Sequence, residues 1–407
     1  PAHAETGVTS STIKLGITVP LTGAAAPGYN KIPGAMKAYF DYVNANGGVY
    51  GRKIQLVVKD DGYSPATTLS VTNDLILKDK VFALVGTLGT ANNEATTRLI
   101  NSKSVPRLFV NTGFSGFADM KKYPTTFPLF PSYATEAKVM GKYLADNFAG
   151  KKVALIYQDD DFGLDAIKGF TTAGTNFVAK IPYSAFSQVD PTTAPKWVTA
   201  LVAAQADTVI MFGVTSATAV LAGAIYKAGL IGKIQMILGS VGSDGTTLKG
   251  LLGPLAPALA GTIAASFLPT PADATDEYIT LFKSINAQYN AGAVFDNNIL
   301  TGMNTAMMTV QALRAAGTSP TRASLIKAIE TKGSTWASAS LSPILYSATS
   351  HVGYTGYWFG KLGADGNAVS ADGPGKYTLY STDSGSGPVV KAAAVRPAMP
   401  AKGLPTN

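Results

Sequence analysis

The chain has 407 residues, 46% of them hydrophobic and 14% charged, with a formal net charge of +8 and no cysteine. That length exceeds one compact core, so two domains are expected, and the composition excludes a disordered chain. The missing cysteines exclude disulfides, thiolate metal sites and a cysteine nucleophile. A nucleic-acid binder would concentrate its excess of Lys and Arg, whereas here the longest basic runs are pairs such as Lys121–Lys122 and Lys151–Lys152. No nucleic-acid partner is expected, and the mild positive field suits anionic ligands or surfaces.

In chain order, the opening PAHAETGVTSSTIKLG reads as a flexible leader, as if a secretion signal had been removed ahead of it. IKLGITV (13–19) predicts a strand, and the helix after it, near 31–46, gathers Ile32, Ala35, Met36, Tyr39, Phe40 and Val43 on one face. IQLVV (54–58) leads into a helix over 65–78, VFALV (81–85) into another, and PRLFV (106–110) follows. A helix near 134–148 opens a second series: VALIY (153–157), a helix over 162–173, a strand near 177–183 and a helix at 195–205. TVIMF (208–212), a helix at 217–228 and IQMIL (234–238) complete it. Helical patterns dominate 273–331, TGYWFGKL and KYTLY read as strands, and the last dozen residues look frayed. Near-continuous apolar strands are covered on both faces and therefore parallel, so two runs of β-α units imply two doubly wound α/β domains.

Two uncharged stretches approach membrane-spanning length. The stretch 208–226 breaks at Gly213 into a strand and a helix, and 251–269 is interrupted by Pro254, Pro257 and Gly261. Buried α/β elements are the expectation for both.

Catalytic patterns are missing. Of the two histidines, His3 lies in the leader and only His351 is left as a candidate base. GFSGF (113–117) has Phe117 where a nucleophile elbow needs glycine, and neither a phosphate loop nor a dinucleotide fingerprint occurs. Asp159-Asp160-Asp161 lacks the alternating spacing of a calcium loop and reads as a helix cap. No enzyme, cofactor or metal is expected.

What the sequence does offer is corners. VFALV runs into Gly86-Thr87-Leu88-Gly89-Thr90-Ala91-Asn92-Asn93, small and uncharged, at the carboxyl end of a strand where open α/β sheets bind ligands. Unsatisfied N–H groups of the next helix attract an anion there, a carboxylate being the simplest, although an ordinary Thr or Asn cap reads equally well. Asn111-Thr112-Gly113-Phe114-Ser115 after PRLFV and the stretch from Pro20 to Tyr29 after the first strand are two further corners of one sheet, expected to converge.

The segments IKLGITVPLTG, NANGGVYGRKIQLVVKDD, VGTLGT and KVALIYQDDDFG, in that order, resemble the branched-chain amino-acid type of periplasmic solute-binding proteins of ABC importers. The resemblance covers residues 11–385. It implies two α/β lobes, 1–132 plus 266–345 and 133–265 plus 346–407, joined by three crossovers and closing on a ligand. It implies a monomer outside the cytoplasm, in the periplasm or on the outer membrane face, with a lipid-bearing N-terminal cysteine possible in a precursor, and an ABC permease as partner. A ligand sensor of the same fold without transport is the alternative.

Carried over by position, Thr90 matches the hydroxyl residue that binds the ligand carboxylate, helped by the backbone N–H of Ala91. Ser115, with the carbonyl near Phe114, matches the second anchor. Phe162 matches an aromatic closing from the second lobe, and Tyr29, or Gly28 beside it, an aromatic flanking the ligand. Amino-acid binders place an acid after the strand matching IQMIL. Here Ser240 or Val241 stands there, Asp244 comes later, and Val214 replaces a frequent Tyr. A buried ammonium without a carboxylate partner costs several kcal/mol, so an apolar or aromatic organic acid fits better than a branched-chain or aromatic amino acid.

Overall fold

The computed structural model describes residues 5–185 and 192–405. The chain divides into two compact units, Pro1–Phe130 with Ala274–Tyr354 and Val395–Asn407, and Pro131–Asp273 with Thr355–Ala394.

In the first unit, β1 (Thr12–Val19), β2 (Lys53–Asp60), β3 (Ala83–Val85), β4 (Arg107–Val110) and β5 (Thr126–Pro128) form a parallel sheet in the order β2-β1-β3-β4-β5. The central strands are apolar and buried on both faces, whereas edge strand β2 keeps Lys53 and Gln55 exposed. Helices α1 (Ile32–Ala45), α2 (Pro65–Asn73) and α3 (Thr90–Lys103) are the crossovers. The helix expected over 65–78 ends as a π-helical turn at Asp74–Lys78, which delivers Leu75 and Ile76 to a core with Val81, Leu84, Ile100 and Val105. β5 escapes sequence reading because it has only three residues. Its Pro128 has no N–H to donate, and β4 bulges opposite it, with Phe109 at φ +51.

The second unit begins with α4 (Tyr133–Asn147) and continues β6 (Val153–Gln158), α5 (Asp161–Thr172), β7 (Ala179–Tyr183), α6 (Ala194–Ala203), β8 (Thr208–Phe212), α7 (Thr215–Lys227) and β9 (Gln235–Leu238). α8 (Gly245–Leu252) and β10 (Ile263–Ser266) follow, and the chain then adds α9 (Glu277–Tyr289), α10 (Asn297–Ala315) and α11 (Arg322–Lys332) to the first unit. The strands β11 (Gly356–Leu362), β12 (Ala368–Ser370), β13 (Thr378–Ser381) and β14 (Val390–Ala393) return to the second. β7-β6-β8-β9-β10 are parallel, but β11 to β14 extend that sheet antiparallel. The uncharged stretch 208–226 is strand β8 followed by most of α7, and among the described residues no helix is long and apolar enough to cross a membrane.

Both chain ends depart from expectation. Residues 1–4, with His3, lie outside the described residues, but the rest of the leader is tied down: Arg322 N–H donates to Glu5 (3.1 Å) and Lys14 N–H to the Gly7 carbonyl (2.8 Å). Over its described residues, up to 405, the tail is held by side-chain contacts rather than frayed, and it belongs to the first unit. Arg396 pairs with the buried Asp276 and lies 4.9 Å over the Tyr278 ring, and the Tyr39 hydroxyl donates to the Gly403 carbonyl (2.7 Å). The chain therefore passes between units a fourth time, at 394/395, beyond the three crossovers expected.

Candidate functional site

Hydrogen bonds knit the three corners of the first unit together. Leu88 N–H donates to the Thr18 carbonyl of β1 (3.0 Å), Asn111 N–H to the Thr87 carbonyl (2.8 Å) and Gly89 N–H to the Asn111 carbonyl (3.2 Å). Asn93 shapes the turn from inside, accepting from the Thr87 hydroxyl (2.6 Å) and donating to the carbonyls of Thr87 (2.9 Å) and Gly89 (2.7 Å). Asn92 reaches back to Thr68 (2.9 Å), which donates to the buried Asp61 (2.8 Å). The two asparagines are therefore scaffolding. Asp60, at the end of β2, holds the first corner through Leu21 N–H (2.9 Å) and the Thr22 hydroxyl (2.6 Å).

This leaves the head of α3. Its N-cap is Gly89, at φ +104, which offers no side-chain cap, and its backbone ladder starts only with Asn93 N–H on the Gly89 carbonyl (3.2 Å). The amides of Thr90, Ala91 and Asn92 precede that bond, the usual orphan donors of a helix start. Thr90 is 2% exposed and its hydroxyl shares a 2.7 Å hydrogen bond with Thr112, whose oxygen also accepts from Phe114 N–H (3.2 Å). Thr112 thus couples Thr90 to the second corner. Sequence reasoning passed it over, although a hydroxyl in a small, polar corner was the available signal.

Ser115 opens a 3-10 turn, Ser115–Ala118, and is half-exposed, as are Phe114 and Ala91. The Phe114 ring packs edge-on against Phe117 (5.3 Å) and over Gly116, where any side chain would collide with it. Tyr29 is 6% exposed and opens the 3-10 turn into α1 from Gly28, at φ +88. The structure joins Thr90 to Phe114 and sets Tyr29 on the first corner.

In the second unit the sequence candidates have structural occupations. Phe162 is 2% exposed among Tyr133 (4.5 Å) and Phe212 (5.4 Å), and its N–H is capped by Asp160 (3.1 Å). Asp160 also accepts from Gln158 (2.7 Å), so the Asp159–Asp161 run contains a helix cap, and no metal-holding group of three occurs among the described residues. Val214 N–H donates to the Tyr183 hydroxyl (3.0 Å), which donates in turn to Gln158 (3.2 Å); a Val214 side chain carries no polar function in Tyr's place. The half-buried Val241 accepts a long bond from the Thr215 hydroxyl (3.5 Å).

Asp244 caps α8, accepting from Thr247 N–H (3.3 Å) and from the Thr247 hydroxyl. The Asp-x-x-Thr spacing carried that signal. Asp244→Asn is expected to leave affinity for an amine-free acid and melting temperature nearly unchanged, since Asn caps as well as Asp. Asp244→Ala should cost about 1 kcal/mol in chemical denaturation.

The acid that sequence reasoning missed is Glu136, in the first turn of α4. Its side chain is fully buried, and Oε1 accepts from Ser240 N–H (2.6 Å) while Oε2 accepts from the Ser240 hydroxyl (3.0 Å). Burial pushes its carboxyl up to about 7, against the pull of the Ser240 amide and hydroxyl and of the Tyr357 hydroxyl. No local pattern links residues 136 and 240. His351, the one candidate base, is buried in the first unit with its ring nitrogens on the Thr126 carbonyl (2.9 Å) and Glu330 (2.8 Å), stacked on Phe127. A groove of about 670 Å³ in the second unit, walled by Val198, Val220, Lys227, Leu251 and Leu255, includes none of the candidate residues.

Two doubly wound α/β units with small polar corners at the carboxyl ends of their strands are the architecture of a class of ligand-binding proteins. Residues 12–367 match the family model described as periplasmic binding protein, and the chain belongs to that family. It is 28% identical over 157 residues to the Leu/Ile/Val-binding protein homolog 2 of Brucella abortus, across 39% of this chain. The chain spans 42% of that relative's length in the match. A branched-chain amino acid ABC transporter structure from Thermus thermophilus with bound valine superposes with TM-score 0.78 at 21% identity, over 90% of this chain and 97% of that one. A solute-binding protein of an ABC transporter from Rhodopseudomonas palustris, in complex with 3,4-dihydroxy benzoic acid, gives 0.74 at 22% identity, over 95% and 97%. At these identities the likeness is one of fold.

Proposed function

We propose that the protein is an extracytoplasmic solute-binding protein that captures a small carboxylate-bearing molecule and delivers it to an ABC import permease. The observation that carries this reading is the uncapped head of α3, where Thr90 and Ala91 offer amides beside the linked hydroxyls of Thr90 and Thr112. A carboxylate there completes orphan donors and meets the positive end of the helix dipole. Ser115, on the adjoining corner, supplies a further hydroxyl. Charge-assisted hydrogen bonds contribute about 1.5–3 kcal/mol each, so three of them with apolar burial reach about −8 kcal/mol, which is micromolar affinity. Tyr29 and Phe114 are the candidate aromatic walls, and Ser240 and Val241 the candidate contacts on the second unit.

The related structures carry valine in one case and a dihydroxybenzoic acid in another, which brackets the ligand class rather than naming its member. The family is periplasmic, in keeping with a location outside the cytoplasm.

A thermal-shift screen of amino acids against aliphatic and aromatic acids tests the reading. A ligand present at about 100 times its dissociation constant adds about 2.7 kcal/mol to stability and raises the melting temperature visibly. A panel in which no carboxylate raises it would refute the proposal. Thr90→Val is expected to weaken the bound acid at least about tenfold with little change in melting temperature, because one hydroxyl contributes about 1.5–3 kcal/mol to a charged partner. Unchanged affinity in calorimetry would remove Thr90 from the site.

A further inference from the structure

We propose that the first unit carries a docking face for an anionic lipid surface, built at the end of its sheet where the strands begin and remote from the ligand corners. The proposal goes beyond the solute-binding reading and does not depend on it.

The charge of the chain is divided unevenly. The first unit holds 20 Lys and Arg against 12 Asp and Glu, and the second 13 against 13, so the formal net charge of +8 belongs to the first unit alone. The ligand corners do not share in it: residues 20–29, 60–63, 86–93 and 111–115 contain no Lys or Arg. The excess is therefore not what grips a carboxylate there.

It gathers at the opposite end of the sheet, where each of the five strands is entered past a cation. Lys14 lies in β1, Lys53 opens β2, Lys80 stands in the turn before β3, Lys103 ends α3 ahead of β4, and Lys121 and Lys122 precede β5. Hydrogen bonds hold these entries side by side. Lys53 N–H donates to the Ser11 carbonyl (2.8 Å) and Phe82 N–H to the Lys14 carbonyl (2.7 Å). The Arg322 guanidinium donates to the carbonyls of Val81 (3.0 Å), Phe82 (3.0 Å) and Lys103 (3.3 Å), and the Asn101 side chain to that of Lys122 (2.9 Å). Lys53, Lys80, Lys103, Lys121 and Lys122 are exposed and form no salt bridge among the described residues. The acids of this end are engaged elsewhere. Asp79 pairs with Lys59 (3.1 Å), Asp74 with Lys78 (2.7 Å), Asp119 accepts from the amides of Lys121 (2.9 Å) and Lys122 (3.3 Å), and Glu5 from that of Arg322 (3.1 Å).

Neighbouring strands lie about 4.8 Å apart, so five entries make a row roughly 20 Å long. That length exceeds the Debye length of about 8 Å at physiological salt, so one small anion leaves most of the row unneutralised and an extended anionic surface does not. Two large side chains favour lipid over a soluble polyanion. Tyr50, in the turn before β2, is 45% exposed, and Leu77, next to Lys78 in the turn toward β3, is 53% exposed. Apolar and tyrosine side chains set among lysines gain from the headgroup boundary of a bilayer. Each lysine at an anionic lipid surface multiplies partitioning about fivefold, and salt screens the effect, so docking is reversible. It leaves the ligand corners, at the other end of the same sheet, uncovered.

The test is sedimentation with vesicles of phosphatidylcholine, alone or with about 30% phosphatidylglycerol, at about 20 and about 300 mM salt. The wild type is expected to bind only the anionic vesicles, and at least about tenfold more weakly at the higher salt. Lys53→Gln combined with K80Q, K103Q and K121Q should lower partitioning at least about tenfold. Lys168→Gln with K180Q, K196Q and K233Q makes the same change of net charge on the second unit and should lower it less than about threefold. Melting curves establish that both variants are folded. No binding of the wild type to anionic vesicles, equal binding to neutral ones, or equal losses in the two variants would overturn the proposal. Leu77→Ser separates lipid from other polyanions: it should weaken vesicle binding about threefold or more and leave elution from a heparin column unchanged. Vesicle binding untouched by Leu77→Ser assigns the face to a soluble polyanion and overturns the proposal as well. None of the substituted residues lies at the ligand corners, so the acid screen decides the solute-binding reading separately.

Discussion

Arg107→Ala is expected to lower the free energy of unfolding by about 3–5 kcal/mol, read from urea denaturation. The guanidinium is fully buried at the start of β4 and has no carboxylate among its hydrogen-bond acceptors. It donates to the Asn93 carbonyl (2.5 Å), to the hydroxyls of Thr96 (3.0 Å) and Thr97 (3.2 Å) on α3 and to that of Thr126 (3.0 Å) on β5, and lies 5.1 Å from the centre of the Phe117 ring. Desolvation brings its pKa down to about 9, against small opposing contributions from Tyr123 and Glu94. Truncation leaves these acceptors unpaired in a dry space, which is the costly half of a buried polar interaction. Arg107→Met fills the space without a buried charge and should lose less than Ala does. A loss below about 1 kcal/mol for Ala would mean that water replaces the guanidinium at little cost. Because Arg107 pins α3 to the sheet, a folded Arg107 variant should also bind its acid more weakly, through a displaced α3 head.

Glu136 is expected to make the protein less stable as pH rises from about 4.5 to about 7. Its folded carboxyl titrates about 7 where an ordinary one titrates at 4.5, so in that window the native state keeps a proton that the unfolded chain has released. Stability then falls with increasing pH, and a displacement of this size corresponds to about 3 kcal/mol. Burial also raises Asp61 and Asp160, which add slopes of the same sign in their own range. The comparison of wild type with Glu136→Gln isolates the one group. The wild-type unfolding free energy should decline toward pH 8 relative to the variant, and the two should converge toward pH 5 on the protonated side of the window. Profiles that run parallel across this range would show that Glu136 keeps an ordinary pKa and is solvated.

Much of the fold was legible because its signals are local. β8 coincides with TVIMF and α4 lies within a residue of its expected place, since an apolar run or a 3.6-residue stripe needs no partner to be recognised. The short strands β5 and β10 were not read, because three or four residues carry too little pattern. The tail was misjudged for a related reason: its Ala and Pro content looks frayed by itself, but Arg396 and Gly403 are held by Asp276 and Tyr39, far away in sequence. The candidate site divides the same way. The corner 86–93 and its uncapped helix start could be located from glycine and threonine alone. That Asn92 and Asn93 face inward, that Thr112 bridges Thr90 to Phe114, and that Asp244 is spent on a helix could not all be read together.

By itself the sequence determined two runs of β-α units, a set of small uncharged corners at strand ends and the absence of a catalytic pattern, because each of these is a property of neighbouring residues. Only the tertiary structure decided which polar groups satisfy one another: Glu136 with Ser240, Thr90 with Thr112, and Arg107 with α3 and β5. The physical reason is that a buried donor or charge takes its partner from whichever segment packs against it, and that choice is made by the assembled core rather than by position along the chain.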